Sequence, residues 1–581
     1  YANFDWYNYL FRQSRPENEH NVSVTGGNDK VNYFVSGRLL NQDGIFKIYH
    51  DKYHNYSFRG KLSAKLNKLL TYTGNVNFNT TEYKYAGFKN EQQTLYFLSY
   101  NLYPNVVPRN PDGTIVQYIN QMTGNSPLGG GHAGFLTANE ARNKRTDKDF
   151  VLTNQLDIEV NKDLIFTFSY AYKDRNRIRN YRNMPFDYSR QEGVIQNFTS
   201  GTIKDYYQET HINIRDHNLN IYGTYQHTWN KQHNFKAVGG MQYEDYRSND
   251  LSVTKNNLLS KDLASMSIAT GETVTSQEIN AFRTLGYFGR VNYDYMGKYL
   301  VELSGRWDGT SRFASNDRWG FFPSASFGWR ISDEKFFEPL HSFWDNAKLR
   351  FSLGSLGNQQ VDTYAYFDEI STDNSMNYTF DGLNKAYYAN VSNPKSASLT
   401  WETISTYNIG LDLAFLRNRL TVTADYFIRY TKDMLTHSLT LPAVFGAEAP
   451  KANCADLRTN GWELYVGWND QFKVAGKPLH YHVSATIGDY KSTITRFNNP
   501  NKLISDYYEG MTLGDMWGYK VGGLFKTDEE AAQYQAKIND KAVNNRVYNS
   551  KTDNRLRAGD VKFLDLDGDN IISEGSGTVS N

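Results

Sequence analysis

From Leu285 to Trp307 the chain alternates. Leu285, Tyr287, Gly289, Val291, Tyr293 and Tyr295 fall on every second position, with Arg290, Asn292 and Asp294 between them. Met296-Gly297-Lys298 interrupts the pattern. It resumes as Tyr299, Val301, Leu303, Gly305 and Trp307 against Glu302, Ser304, Arg306 and Asp308. Side chains alternate across a strand, so this spacing predicts two antiparallel strands joined by a tight turn, each with one apolar and one polar face. In a soluble sandwich the apolar faces look inward, whereas in an outer-membrane barrel they look out at lipid. Tyr and Trp near the strand ends and full charges on the polar face favour the barrel. Alternation alone leaves a secreted sandwich, such as a glycan-binding protein, open.

The same pattern recurs along the chain. It predicts strands at His20–Gly26, Val31–Leu39, Tyr53–Leu66, Leu69–Glu82, Leu152–Val160, Leu164–Lys173, His217–Trp229, His233–Tyr246 and Ala347–Gln359. Further strands follow over Leu399–Leu435, with a turn at Leu416–Arg419, and at Leu457–Trp468 and Leu479–Ile494. The count is about sixteen by this rule. Between pairs joined by short turns, alternation is lost over Gly87–Arg142, Arg175–His211, Asp250–Ser276, Gln360–Ser398 and Leu439–Asp456. Long and short connections in turn are the rhythm of an outer-membrane barrel. The segment Gly87–Arg142, with Pro104, Pro108, Pro111, Pro127 and Gly129 to Gly131, reads as a long functional loop. Its glycines lack the Lys and Ser/Thr of a phosphate loop.

Composition narrows the class. Lys+Arg total 63 against Asp+Glu 62 in 581 residues, which gives no case for nucleic acid. Aromatics reach 15%, high for a soluble enzyme. No apolar run approaches the ~20 residues of a spanning helix, but barrel strands need only ~9–11, half of them polar. The single cysteine, Cys454, excludes an internal disulfide framework and a cysteine metal cage. No signal-peptide pattern begins at Tyr1, so a mature or truncated chain is expected. No nucleophile elbow, HExxH or dinucleotide fingerprint occurs, so no enzyme is expected.

The wording of the central stretch resembles a known family. KYLVELSGRWDGTSRF followed by WGFFPSASFGWRISDEKFF is similar to the barrel of SusC/RagA-type TonB-dependent transporters, which import oligosaccharides or peptides across the outer membrane of Bacteroidetes. Asp308–Phe313, DGTSRF, stands where the family carries a DGSSRF-like turn. AKLRFSLGSLGNQ from Ala347, LTWETISTYNIGLDLAFLRNRLTVTADYFIRYTKDML from Leu399, EGMTLGDMWGYKVGGLFKTDEE from Glu509 and GDVKFLDLDGD from Gly559 extend the likeness. The resemblance implies an all-β fold, a transmembrane antiparallel β-barrel. Complete plugged transporters have about 22 strands. A chain with about sixteen would leave an edge unpaired in lipid, so a piece lacking the plug and the last strands is expected. Residues 1–19 then lead in from the plug, and 20–581 form the barrel with its long extracellular loops. The resemblance also implies a SusD-like lipoprotein as a lid, TonB acting on the plug, and an oligosaccharide as cargo. A peptide, or a siderophore or vitamin for a receptor without a lid, stays open.

Two groups of residues are candidates for binding. Asp565, Asp567 and Asp569 in LDLDGDNII offer oxygen ligands at alternate positions, as a Ca²⁺ loop of the EF-hand kind begins. Against this, Asn570 stands where that loop needs Gly, and Ser576 where it needs Glu; an acidic turn closed by its own Asx hydrogen bonds is the alternative. Tyr364, Tyr366, Tyr387 and Tyr388 lie in a loop rich in Tyr, Asn and Asp, where rings could stack on sugar faces. Packing within the loop is their plainer role. His480 and His482 share a strand face but have no third ligand, so lining or pairing is expected rather than metal binding.

Overall fold

The computed structural model describes residues 3–48, 51–85, 98, 102–118, 128, 132–138, 141–191, 193–198, 205–367, 370–373, 379, 382, 388–391, 395–396, 398–438, 444, 449–540 and 555–572. Sixteen strands join in one sheet, each paired with its neighbours in chain order. Two compact units divide the chain: residues 1–226 with 237–287, and 227–236 with 288–581. No helix among the described residues is long and apolar enough to cross a membrane.

The first unit holds strands Glu17–Gly27, Val31–Asp43, Lys52–Lys65, Leu70–Tyr85, Ala141–Asn161 and Leu164–Asn183. It also holds most of Tyr206–Trp229, His233–Asn256 and Thr273–Tyr295. Register sorts the side chains by face. Tyr33 lies opposite Leu62, Phe58 opposite Phe78, and Phe78 opposite Phe150, so one face carries a continuous apolar surface. The other face is polar and bonded across strands: Asn55 Nδ2 donates to Asn79 Oδ1 at 2.8 Å and to Thr81 Oγ1 at 3.1 Å. Three of its short turns use one device. Asn28, Asn67 and Asn161 each accept two backbone N–H bonds on Oδ1, from the residues two and three positions on. An Asx turn of this kind folds the backbone back without glycine. Helix Trp6–Leu10 packs its buried Trp6 and Leu10 against Leu98, Leu128 and Leu136, and Trp6 Nε1 donates to the carbonyls of Tyr103 and Val106.

The second unit holds Tyr299–Thr310, Trp319–Arg330, Trp344–Asn358, Glu402–Phe415, Leu420–His437, Lys451–Val474 and Lys477–Arg496. Its apolar face is exposed: Leu303 is 55% accessible, Leu353 51% and Tyr407 53%. The buried apolar clusters of this unit are small and lie in loops and at strand ends. A water-soluble chain rarely leaves so broad an apolar surface uncovered. The described residues beyond Arg496 add a two-stranded sheet, Val521–Leu524 with Val561–Phe563, and helix Asp528–Lys537. That helix is capped by Thr527, whose hydroxyl accepts from Glu530 N, while Glu530 Oε2 accepts from Lys526 N.

Several strands run further than their apolar alternation predicts. Leu164–Asn183 passes through a stretch expected to be irregular, as does His233–Asn256. Within that stretch Phe186–Gln191 and Val194–Phe198 form a separate hairpin. A short helix, His132–Ala138, and the start of strand Ala141–Asn161 lie in the expected long loop.

Candidate functional site

The polar faces are walls of paired charges. In the first unit Asp147 lies opposite Arg177 and Asp149 opposite Arg175. Each arginine grips its carboxylate through Nε and Nη2, the two-pronged geometry that suits guanidinium to carboxylate. In the second unit Arg350 Nε and Nη2 donate to Asp412 at 2.8 and 3.1 Å, and Nη2 reaches Asp425 at 3.1 Å. Gly410 makes that reach feasible, because a Cβ there would run into Arg350 and Asp425. Arg306 pairs along its own strand with Asp308. These groups satisfy one another, and the result is a rigid wetted surface.

The loop tyrosines are partly brought together. Tyr364 is 48% accessible and sits at φ +63°, a left-handed conformation that is an outlier for a bulky residue. Tyr366 packs on Phe367 with ring centroids 4.4 Å apart, and Tyr364 lies 6.4 Å from the same ring. Tyr388 lies in a short strand, opposite Asp373 in register. Tyr387 lies outside the described residues. Phe367 belongs with this group, and nothing in its sequence context marks it.

Asp565, Asp567 and Asp569 do converge, with one ligand atom from each within 4.8 Å of the others. Asn570 takes φ +63° and Gly568 φ +80°. Asparagine tolerates this region, so Asn570 supplies the bend that glycine supplies in a Ca²⁺ loop. All three carboxylates also accept backbone bonds: Asp565 on both oxygens, from Gly568 N and Asn570 N, Asp567 from Asp569 N, and Asp569 from Ile571 N. Burial alone would raise the Asp565 carboxyl. The N–H groups of Asn570 and Gly568 outweigh it and hold the carboxyl below the ordinary range. Ile572, 3% exposed, anchors the turn, and Ile572 N donates to Asn539 O. Nearby Tyr534 is pushed up to about 12 by burial and by the charges of Asp540 and Asp565. The first three ligand positions thus fit a hard cation, while Ser576 at the twelfth lies outside the described residues. His482 Nδ1 lies 2.7 Å from Asn469 Oδ1, a pairing across strands.

A family model described as "TonB dependent receptor-like, beta-barrel" matches residues 83–567. The chain belongs to that family. It is a β-barrel of the outer-membrane TonB-dependent receptor type. It is 27% identical to the TonB-dependent receptor SusC of Bacteroides thetaiotaomicron, over 99% of this chain and 55% of that one. It is 26% identical to the TonB-dependent receptor P39 of Formosa agariphila, over 98% and 54%. The structure of the RagAB peptide transporter superposes with a TM-score of 0.75 at 19% identity, over 90% of this chain and 57% of that one, and so shares its fold. The chain spans just over half the length of these relatives.

The family assigns the faces. The apolar face of each strand meets lipid and the paired charges face inward, in the sense expected from alternation. Strands of up to 24 residues, such as Tyr206–Trp229, exceed the ~9–11 that a bilayer needs and carry the sheet beyond it.

Proposed function

We propose that the protein containing this chain imports an oligosaccharide across the outer membrane, under a SusD-like lipoprotein lid and with TonB acting on its plug. The likeness to SusC along nearly the whole chain carries this reading. The barrel supplies inward walls of paired charge and the loops that grip the lid. Tyr364, Tyr366 and Tyr388 stack on sugar faces. A strain lacking the protein is expected to lose growth on one class of glycan as sole carbon source. Failure on peptides alone would replace this reading with peptide import, which the fold shared with the RagAB peptide transporter keeps as the second reading.

A small sugar needs enclosure to be held, and a stable lid interface buries at least ~1,000 Å². The full-length protein is therefore expected to co-purify with a SusD-like lipoprotein in equal amounts after gentle detergent extraction. Elution of the barrel alone, with the lipoprotein expressed in the same cells, would favour a lidless siderophore-type receptor.

The Asp565, Asp567 and Asp569 turn holds one Ca²⁺ in this reading. Terbium luminescence sensitised by nearby tyrosine is expected to titrate with the wild-type protein and to be absent in Asp565→Asn/Asp567→Asn. A signal unchanged in the double variant would reduce the cluster to a self-closed turn.

A further inference from the structure

One row of inward side chains in the first unit departs from the pattern of paired charge. Register aligns Tyr53, Tyr83, Arg145, Arg179 and Thr210 across neighbouring strands. Arg145 and Arg179 therefore stand directly opposite each other. Residues so placed have Cβ atoms about 4.5–5.5 Å apart, and like charges there repel. The carboxylates of the next two inward rows are already engaged. Arg175 grips Asp149, and Arg177 grips Asp147 through Nε and Nη2. Arg145 Nε comes within 3.4 Å of that same Asp147 and shares it. Arg179 forms no ion pair among the described residues. Four guanidiniums thus face two carboxylates. Glu82, Asp174 and Glu209 belong to the outward face of their strands, where Glu82 pairs with Lys144 and Asp174 with Arg215.

Aromatic rings border the two arginines. Arg145 Cζ lies 5.9 Å from the centroid of the Tyr83 ring. Tyr83 stacks on buried Tyr85 with centroids 5.0 Å apart, and the Tyr53 ring stands 6.4 Å from Tyr83. Tyr53, Tyr83, Arg145 and Arg179 all keep some accessible surface. The row lies past the hydrocarbon. Phe150 is the last apolar residue on the outward face of strand Ala141–Asn161, and the outward positions beyond it are Lys148, Thr146 and Lys144. These strand ends lead into the long connections, which in such barrels lie outside the cell. Arriving cargo therefore meets this row early.

We propose that Arg145 and Arg179 bind the anionic group, carboxylate or sulfate, of an acidic oligosaccharide whose ring rests on Tyr83. The inference rests on the oligosaccharide reading above and names the class of sugar. An anion between the two guanidiniums offsets their repulsion and accepts charge-assisted hydrogen bonds from both. The sugar face beside it meets the aromatic ring. A neutral glycan gains only the second of these contacts.

The test is calorimetric titration of the full-length protein in mild detergent, with any lipoprotein that co-purifies. The probes are an oligogalacturonide, a sulfated galactan oligosaccharide and a neutral malto-oligosaccharide. One acidic probe is expected to bind at least about tenfold more tightly than the neutral one, and to weaken with added salt. Which of the two binds identifies the anion. Arg179→Gln is expected to weaken that binding about tenfold. Lys148→Gln removes an exposed charge from the outward face at the same level and is expected to leave it unchanged. Because Arg179 opposes a like charge, its loss is expected not to lower heat stability. Lowered stability with acidic binding retained would make Arg179 structural and overturn the proposal. Arg145→Gln gives the same readout if Arg179→Gln does not fold. An equal loss in Lys148→Gln would reduce the effect to net charge and overturn the local site. Neutral sugar bound as tightly as the acidic probes would overturn the inference and leave sugar import standing. Binding of a peptide mixture and of none of the three glycans would overturn both.

Discussion

Replacing Phe313 with alanine is expected to cost about 3–5 kcal/mol, the range for a fully buried phenylalanine. Phe313 has no accessible surface and packs with Phe322, Val361, Leu399 and Trp401. Its ring meets that of Trp401 edge-on at 5.6 Å, and the Phe322 ring meets Trp401 at 5.3 Å. Hydrogen bonds lock the backbone around this cluster. Trp401 Nε1 donates to Arg318 O at 2.7 Å, Arg318 Nε donates to Phe313 O at 3.1 Å, and Arg312 donates to Val361 O. The turn DGTSRF thus clamps the chain before Trp319 to the chain before Glu402. Gly357 is required beneath it, because a Cβ there would collide with the Phe322 ring. Truncation leaves a cavity that the locked carbonyls cannot close. The measurement is unfolding in detergent or lipid, followed by heat-dependent gel mobility. A loss below ~1 kcal/mol would show that the cluster relaxes freely.

The fold was legible wherever one face of a strand meets lipid. There the membrane enforces apolar residues at period two, and Leu285–Trp307 states it plainly. Above the bilayer both faces are wet, so the period disappears while the strand continues. Apart from Ile178 and Tyr181, Arg175 to Asn183 is all arginine and asparagine, yet it stays paired with strand Ala141–Asn161, with ion pairs at Arg175 and Arg177. Cross-strand ion pairs leave no trace along a single strand, since Asp147 and Arg177 are 30 positions apart. The turn at Leu416–Arg419 was readable as a break, but not its conformation. Leu416, Arg417 and Asn418 all take positive φ, held partly by Asn418 N donating to Asp345 Oδ2 at 2.9 Å. At the acidic turn the three carboxylates were legible from spacing alone. That Asn570 does the work of a glycine was not, because its backbone angle depends on the bonds Asp565 accepts.

Leu303→Arg separates a membrane barrel from any soluble reading. Leu303 is 55% accessible, so in water an arginine there would change stability by at most ~0.5 kcal/mol. It lies four residues from Tyr299 and four from Trp307, midway between the two aromatic levels, and therefore near the bilayer midplane. An arginine on the lipid face at that depth is expected to cost about 2–4 kcal/mol. Its neighbour gives the control. Ser304 points the other way and shares a hydrogen bond with Ser324 at 2.6 Å on the inward face, where water solvates a charge. Ser304→Arg is therefore expected to lose only that bond, about 1 kcal/mol. Folding equilibria into phospholipid vesicles would measure both. A large penalty for Leu303→Arg with a small one for Ser304→Arg fixes the direction of each face. Equal small penalties would mean that the apolar band never meets lipid, and the reversed order would mean that the strand is turned inside out.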